Sequence, residues 1–325
     1  MSIWTVLWLI GLSAVITGVF LKIYIERLSK TQFFKRAENI DSNKKSCIKE
    51  LHKHKAAIPT MGGIAINLAL LLSTIVYLIV TGEILWLNLF FILFGLMGFV
   101  DDYIKIKKIR DGVTAKEKLV GLFIVGAVII AFMILSKQVE SVIKIPFCGI
   151  NIEVNVWIFG ILSTLFIVAA SNSVNITDGL DGLAVGICAI AFVVIGVYAY
   201  KMNIYDVLAG CAIMEGACLL MLLFNKFPAK VFMGDTGSLL LGGAIAVFLI
   251  RMNMMLWILM ILGVCIFETI SVILQVFSLK IFHKRIFKIA PFHHHLEKCN
   301  WRETTIVYVF WLVSAFLGGI VLLFA

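Results

Sequence analysis

The chain predicts an all-α integral membrane protein: one domain spanning residues 1–325, built as a bundle of ten transmembrane helices, with both termini outside and its polar site at the cytoplasmic face. Three observations carry this reading. The composition is 62% hydrophobic and 14% charged, with a mean hydropathy of +1.05, whereas soluble domains hold roughly 45–50% apolar residues. The apolar residues gather in ten runs, many of them near the ~20 residues that a ~30 Å hydrocarbon core requires of a helix. The basic residues lie almost wholly in alternate loops.

In chain order the runs are 3–21, 62–81, 84–100, 119–135, 156–170, 183–200, 207–224, 238–250, 254–279 and 304–325. The first, Ile3 to Leu21, has no basic stretch before it and is followed by positive charge, so it reads as a retained helix and not a cleaved signal. The eighth is too short to stand on hydropathy, and charge decides it. With ten spans, the loops after the odd-numbered ones hold 24 Lys and Arg and the others hold 4; the positive-inside rule puts the former in the cytoplasm. Deleting the eighth run would move the six positive charges of residues 280–302 to the outer face. The net charge of +9 is therefore a one-sided basic face suited to anionic lipid, and not a nucleic-acid footprint.

Two smaller elements follow from pattern. Leu279 to Ile289, LKIFHKRIFKI, spaces Phe282, Ile286 and Ile289 as an amphipathic helix lying in the cytoplasmic interface. Residues 142–154 alternate around Cys148-Gly149, as a small outer hairpin would. The seven cysteines form no C-x-x-C pair and read as small buried side chains, without a disulfide framework or a zinc site.

Polar chemistry gathers on the cytoplasmic side. The third run ends in Asp101 and Asp102, adjacent like charges that require a cation and point in different directions along a helix. SNSVNITDGLDGLA (171–184) is a cytoplasmic stretch without Lys or Arg that holds Asn172, Asn175, Asp178 and Asp181; the two acids would share a face if a helix begins there. Asp235 lies between Gly234 and Gly237 before the eighth run, where N–H groups at a helix start can meet phosphate oxygens. Residues 290–297, APFHHHLE, hold three consecutive histidines, which diverge by ~100° per residue on a helix and so do not converge on one metal; imidazoles facing phosphate fit better. Lys55, Lys116 and Lys118 add cationic donors. Carboxylate oxygens beside such donors suit Mg²⁺-assisted phosphoryl transfer, the metal being the cation between the acids. Glu215 and Glu268 lie inside apolar runs, where a charge costs ~3 kcal/mol or more; Glu215 is read as structural or lining a lipid groove.

PTMGG (59–63), FVDDYIK (99–105), NSVNITDGLDGLA (172–184), FNKFPAKVFMGDTGSLLLGG (224–243), ETISVILQV (268–276) and PFHHHLE (291–297) together resemble the polyprenyl-phosphate N-acetylhexosamine-1-phosphate transferases. Within that superfamily they are most similar to the phospho-N-acetylmuramoyl-pentapeptide transferase branch. The resemblance implies a multi-pass enzyme of the bacterial cytoplasmic (inner) membrane, active in peptidoglycan synthesis. It would take UDP-N-acetylmuramoyl-pentapeptide (UDP-MurNAc-pentapeptide) and undecaprenyl phosphate to UMP and lipid I, with Mg²⁺, as a homodimer. It also implies roles. Asp235 would be the magnesium ligand, with Asp101 and Asp102 as further candidates and as paired acids, one of which deprotonates the lipid phosphate. Asp178, Gly179, Leu180 and Asp181 would contact uridine, Phe232 would stack on uracil, and Gln275 would line the same pocket. Asn175 and Asn225 would help bind nucleotide or metal. Lys55, Lys118 and the histidines would meet phosphates or sugar, with His294 and His295 placed in catalysis and His293 in binding.

The sequence departs from the family pattern twice: Lys55-Ala56-Ala57-Ile58 stands where Lys-x-Gly-Thr is usual, and Glu215 where a small residue is usual. The alternatives are a sister enzyme taking UDP-N-acetylglucosamine, which would lack the Pro-Phe-His-His-His run, and a transporter of lipid-linked sugars, which would place its polar site near the membrane midplane between repeated halves.

Overall fold

The computed structural model describes residues 1–28, 58–107, 109 and 112–325. Each of the ten apolar runs falls largely in helical structure. The long helices are α1 (Ile3–Ile23), α2 (Gly63–Thr81), α3 (Trp86–Ile106), α4 (Ala115–Leu135), α5 (Val156–Thr177), α6 (Leu183–Lys201), α7 (Tyr205–Asn225), α8 (Asp235–Arg251), α9 (Gly263–Ile281) and, after the short α10 (Phe292–Lys298), α11 (Glu303–Phe324). Among the described residues eight helices are long and apolar enough to cross a membrane; α3 and the 17-residue α8 are not among them. Strands β1 (Val142–Lys144) and β2 (Asn151–Glu153) pair antiparallel, Ile143 opposite Ile152, which is the hairpin the alternation predicts.

Local signals set several boundaries. Thr114 and Glu117 form a reciprocal capping box at the start of α4. The Ser2 hydroxyl caps α1, the Asn155 side chain caps α5, and α2 ends on left-handed Gly82. The outer surface carries exposed Trp4, Ile79, Trp157, Leu312 and Phe316, an arrangement that suits lipid and not water.

The short α8 is the axis of the bundle. Thr236 to Ile250 are all buried, and α2, α3, α5 and α6 pack around them. Being surrounded by protein explains both its brevity and its apolar character on every side.

Three expectations are corrected. The ninth run is not one helix: a 3₁₀ turn at Met255–Trp257 and a helical turn at Ile258–Ile261 precede a break at Leu262, where Gly263 lets Leu317 approach within 2.7 Å of where a Cβ would stand. Helix α5 runs past residue 170 to Thr177, because its polar residues find partners. The Ser171 hydroxyl donates to Leu239 O at 2.8 Å and that of Thr177 to Ser173 O at 2.8 Å. The amphipathic helix proposed for 279–289 does not form. Helix α9 stops at Ile281, His283 has φ 53°, and the segment beyond is irregular. Gln275 explains this: its Oε1 accepts the N–H of Ile286 and Phe287 and its Nε2 donates to Phe287 O, while the Ser278 hydroxyl donates to Lys284 O. Side chains of α9 thus satisfy backbone groups that a helix would have paired internally.

Candidate active site

The C-terminal end of α3, the start of α4, the end of α5 and the start of α8 meet at one end of the bundle. Their approach is close: a Cβ on Gly98 of α3 would overlap the carbonyl of Asp235 and the amide of Thr236. The chain before α8 is fixed by residues of PTMGG. Phe232 N donates to Pro59 O at 2.8 Å, Gly62 N to Phe232 O at 2.8 Å and Gly63 N to Met233 O at 2.9 Å. The Tyr24 hydroxyl donates to Thr60 O, tying the residue that caps the end of α1 to the same segment.

Asp101 and Asp102, both buried, diverge as adjacent helical residues must. Asp102 faces α8: its Oδ1 accepts Asp235 N at 3.2 Å, and its Oδ2 accepts Thr236 N at 2.9 Å and the Thr236 hydroxyl at 2.7 Å. It acts as the missing N-cap, since the cap position is Gly234, whose φ of 73° suits glycine and whose bare Cα lets the carboxylate in; a Cβ there would lie 2.7 Å from Oδ2. The expectation that these amides meet a phosphate is corrected, because Asp102 already accepts from two of them.

Asp101 faces the other way. Its Oδ1 accepts Val113 N at 2.6 Å, and its Oδ2 takes the Lys105 ammonium at 2.9 Å and that of Lys118 at 3.5 Å. Asp235 meets the same pair of cations, its Oδ2 lying 2.9 Å from Lys105 Nζ and 2.8 Å from Lys118 Nζ. Asn175 completes the group: its Nδ2 donates to Asp235 Oδ1 at 2.8 Å and to the Ser238 hydroxyl at 2.8 Å, and its Oδ1 accepts from Lys118 at 2.9 Å. Lys118 sits just inside the start of α4, where the helix dipole disfavours a cation; the two acids and the amide oxygen offset that.

Charge states follow from this packing. Burial pushes Asp101 above the usual carboxylate range, and the neighbouring Asp235 carboxyl adds to it. Burial also raises Asp102, to about 6, the Asp235 charge adding and the Thr236 hydrogen bonds opposing. Burial alone would raise Asp235 too, but hydrogen bonding with Asp101 and the charges of Lys105 and Lys118 outweigh it and hold the group well below its ordinary value. Lys105 is held protonated by the same two acids, against the desolvation that would lower it. The two lysines thus favour the ionised form of Asp235 most strongly.

The remaining sequence candidates divide. Asp178 directly follows α5 and Gly179 is exposed, so 178–182 is a turn between helices and not the start of one; Gly182, at φ 78°, ends it. Leu180 is buried. Asp181 is turned inward: its Oδ2 accepts Ala229 N at 2.9 Å, and its own N–H donates to Glu303 Oε1 at 2.8 Å. Asn225 joins the turn to the next loop, accepting from Gly182 N at 3.1 Å and donating to Val231 O at 2.9 Å. The Phe232 backbone is paired and the residue is half-buried. Gln275 holds the loop after α9, as described. His295 Nδ1 accepts Lys288 N at 3.1 Å, and its ring stacks on Phe292; His294 Nδ1 stands 2.6 Å from Glu297 Oε2. His293 is fully buried beside Glu268. Lys116 is exposed, and Lys55 lies outside the described residues. Within α7, Glu215 Oε2 is buried with no hydrogen-bond partner among the described residues, and the structure offers no account of it.

Sequence reasoning missed Lys105 and Thr236. The first carried a signal: it stands four residues after Asp101 on one helix, the spacing that brings an acid and a lysine together. The second did not, since its partner Asp102 is 134 positions away.

Residues 84–253, which take in all four elements of the charge cluster, match the family model for glycosyl transferase family 4. Over 274 residues, 82% of this chain and 83% of the relative, the sequence is 42% identical to the phospho-N-acetylmuramoyl-pentapeptide-transferase of Bacillus mycoides (strain KBAB4). The same identity and coverage hold for the proteins of that name from Bacillus thuringiensis (strain Al Hakam) and Bacillus cereus (strain AH187).

Proposed function

The chain belongs to the phospho-N-acetylmuramoyl-pentapeptide-transferases, within glycosyl transferase family 4, and from that premise we propose that the Asp101–Asp235 cluster is where the transfer takes place. The protein moves phospho-N-acetylmuramoyl-pentapeptide from UDP to undecaprenyl phosphate, giving lipid I and UMP, a step of peptidoglycan synthesis. A single observation supports this site most: two ammonium groups, from α3 and α4, each lie 2.8–3.5 Å from both of two carboxylates, from α3 and α8.

The donor set fits Mg²⁺. Among the described residues no group of three or more His, Cys, Asp or Glu is arranged to enclose a metal, and Mg²⁺ is commonly held by one or two carboxylates with substrate phosphates completing its shell. Asp235 would hold it, while the capping role of Asp102 and the proton-accepting role of Asp101 leave those two outside the set. When bound, the metal would neutralise charge on the diphosphate.

The chain's own residues supply the rest. Lys105 and Lys118 are placed to accept the phosphate charge that the acids now balance. Asn175 fixes the Asp235 rotamer through a hydrogen bond. In direct displacement, an oxygen of the lipid phosphate bonds to the β-phosphorus of the donor as the bond from that phosphorus to the bridging oxygen breaks, and UMP departs. Asp101, with its raised proton affinity, takes the proton of the lipid phosphate. Positioning and fixed charge suffice for such a loose transition state. The 178–181 turn, three residues beyond Asn175, contacts the uridine.

The topology proposed is ten spans with both termini outside and the cluster at the cytoplasmic face of the inner membrane, supported by the one-sided charge and by the packing of α8 inside the bundle. The assembly proposed is a homodimer, on the family resemblance. The test is UMP release by purified protein given undecaprenyl phosphate, Mg²⁺ and each UDP-sugar. Release is expected only with UDP-MurNAc-pentapeptide, and is lost on chelation. Equal release from UDP-N-acetylglucosamine refutes the donor assignment, and a protein that binds without releasing UMP is the transporter instead.

A further inference from the structure

Glu268 lies within α9 with no exposed surface, in a segment long and apolar enough to cross a membrane, where an acid is costly unless something requires it. Both carboxylate oxygens receive the backbone N–H of His293, at 3.0 and 3.3 Å. Its Oε2 also stands 3.2 Å from His293 Nδ1, within ion-pair reach though off the line of a hydrogen bond. The other edge of this imidazole points at the turn after α5. His293 Nε2 is buried without a hydrogen-bond partner among the described residues, and a Cβ on Gly179 would overlap it. The ring therefore fills the notch left by the side chain that Gly179 lacks.

We infer that Glu268 is a positioning residue, acting through His293 to set the 178–181 turn against the nucleotide. This rests on the proposed reading that the turn meets uridine. The rest of the turn is already fastened, Asp181 by Ala229 and Glu303 and Gly182 by Asn225, so its Gly179 side is where the imidazole sets its place. The acid–lysine cluster is held by separate bonds through Asn175 and is left intact when Glu268 is removed. Loss of Glu268 therefore weakens recognition of the donor and spares the chemical step.

The test is steady-state kinetics of UMP release by the full chain, with melting in detergent to verify folding. Glu268→Ala and His293→Ala are each expected to raise KM for UDP-MurNAc-pentapeptide about tenfold, the scale of one lost charge-assisted hydrogen bond. KM for undecaprenyl phosphate and kcat stay within about twofold, and the double variant is no worse than the worse single, as for residues acting as one unit. Glu268→Gln, which keeps an acceptor for the His293 N–H, restores donor KM to within about threefold of wild type. A fall in kcat with donor KM unchanged, or losses that multiply in the double variant, overturns the inference. Should Glu268→Ala fail to fold, His293→Ala decides: a raised donor KM with kcat retained supports the inference and an unchanged donor KM overturns it. Wild-type protein that releases no UMP overturns the underlying reading, and the inference with it.

Discussion

The α3–α8 junction and the α9–α10 region both gather polar side chains, yet they use them differently. At the junction Asp101, Asp235, Lys105, Lys118 and Asn175 bond mainly to one another, with Lys105 and Asp235 partly exposed at 36% and 15%. Around α10 the polar groups serve mainly the chain's own fold: Gln275 holds Ile286 and Phe287, Glu268 holds His293, and His295 holds Lys288. A cluster whose charges answer mainly each other can exchange partners when a substrate arrives; one occupied mainly by its own backbone cannot without local unfolding. Polar density in a membrane protein therefore does not by itself mark reacting groups. What marks them is that their charges are met mainly by other charged side chains, Asp101 alone also accepting one backbone amide, that of Val113.

The predictions probe this contrast, beginning with the largest effect. Asp235→Asn removes the charge that both lysines share, and UMP release is expected to fall on the order of a thousandfold with the melting point retained. Lys118→Met is expected to lower kcat about a hundredfold, since it removes one fixed cation from the site. Asp102→Asn acts on the scaffold. With the helix cap weakened, stability in detergent drops by about 1 kcal/mol at neutral pH. Its pH dependence has a definite sign. The folded-state value of Asp102 is raised from 3.8 to about 6, so the native state binds the extra proton between those limits and wild-type stability falls as pH rises from about 4 to 6, levelling above. Asp102→Asn lacks that slope, and melting curves across the range check it. The smallest effect is expected from His295→Gln, about twofold on UMP release, because that ring packs on Phe292 and accepts one backbone amide.

Much of the fold was legible because apolar runs in lipid have few alternatives to helix. Even α8 was recoverable, through loop charge where its own hydropathy failed. The ninth run misled because the break at Leu262 arises from packing against α11, which hydropathy does not record. The 279–289 helix misled for a related reason: its spacing was helical, but Gln275 and Ser278 claim its backbone. At the site, residue types placed Asp101, Asn175, Lys118 and Asp235 among the candidates. What they did not reveal was the division of labour inside the Asp101-Asp102 pair. That depends on Asp102 meeting the start of a helix more than 130 positions away, a contact with no local trace. The histidines of 293–295 read in sequence as imidazoles facing phosphate, but His293 and His294 are buried and His295 is half-buried, packed on Phe292.

The central claim is that charges from α3, α4 and α8 form one reacting centre while the histidine region only supports it. Parallel single-turnover measurements of UMP release by Asp235→Asn and His295→Gln, at saturating UDP-MurNAc-pentapeptide, undecaprenyl phosphate and Mg²⁺, test it most directly. The account predicts a nearly silent Asp235→Asn beside a His295→Gln close to wild type. Substantial turnover by Asp235→Asn, or a His295→Gln as inactive as it, would contradict the account.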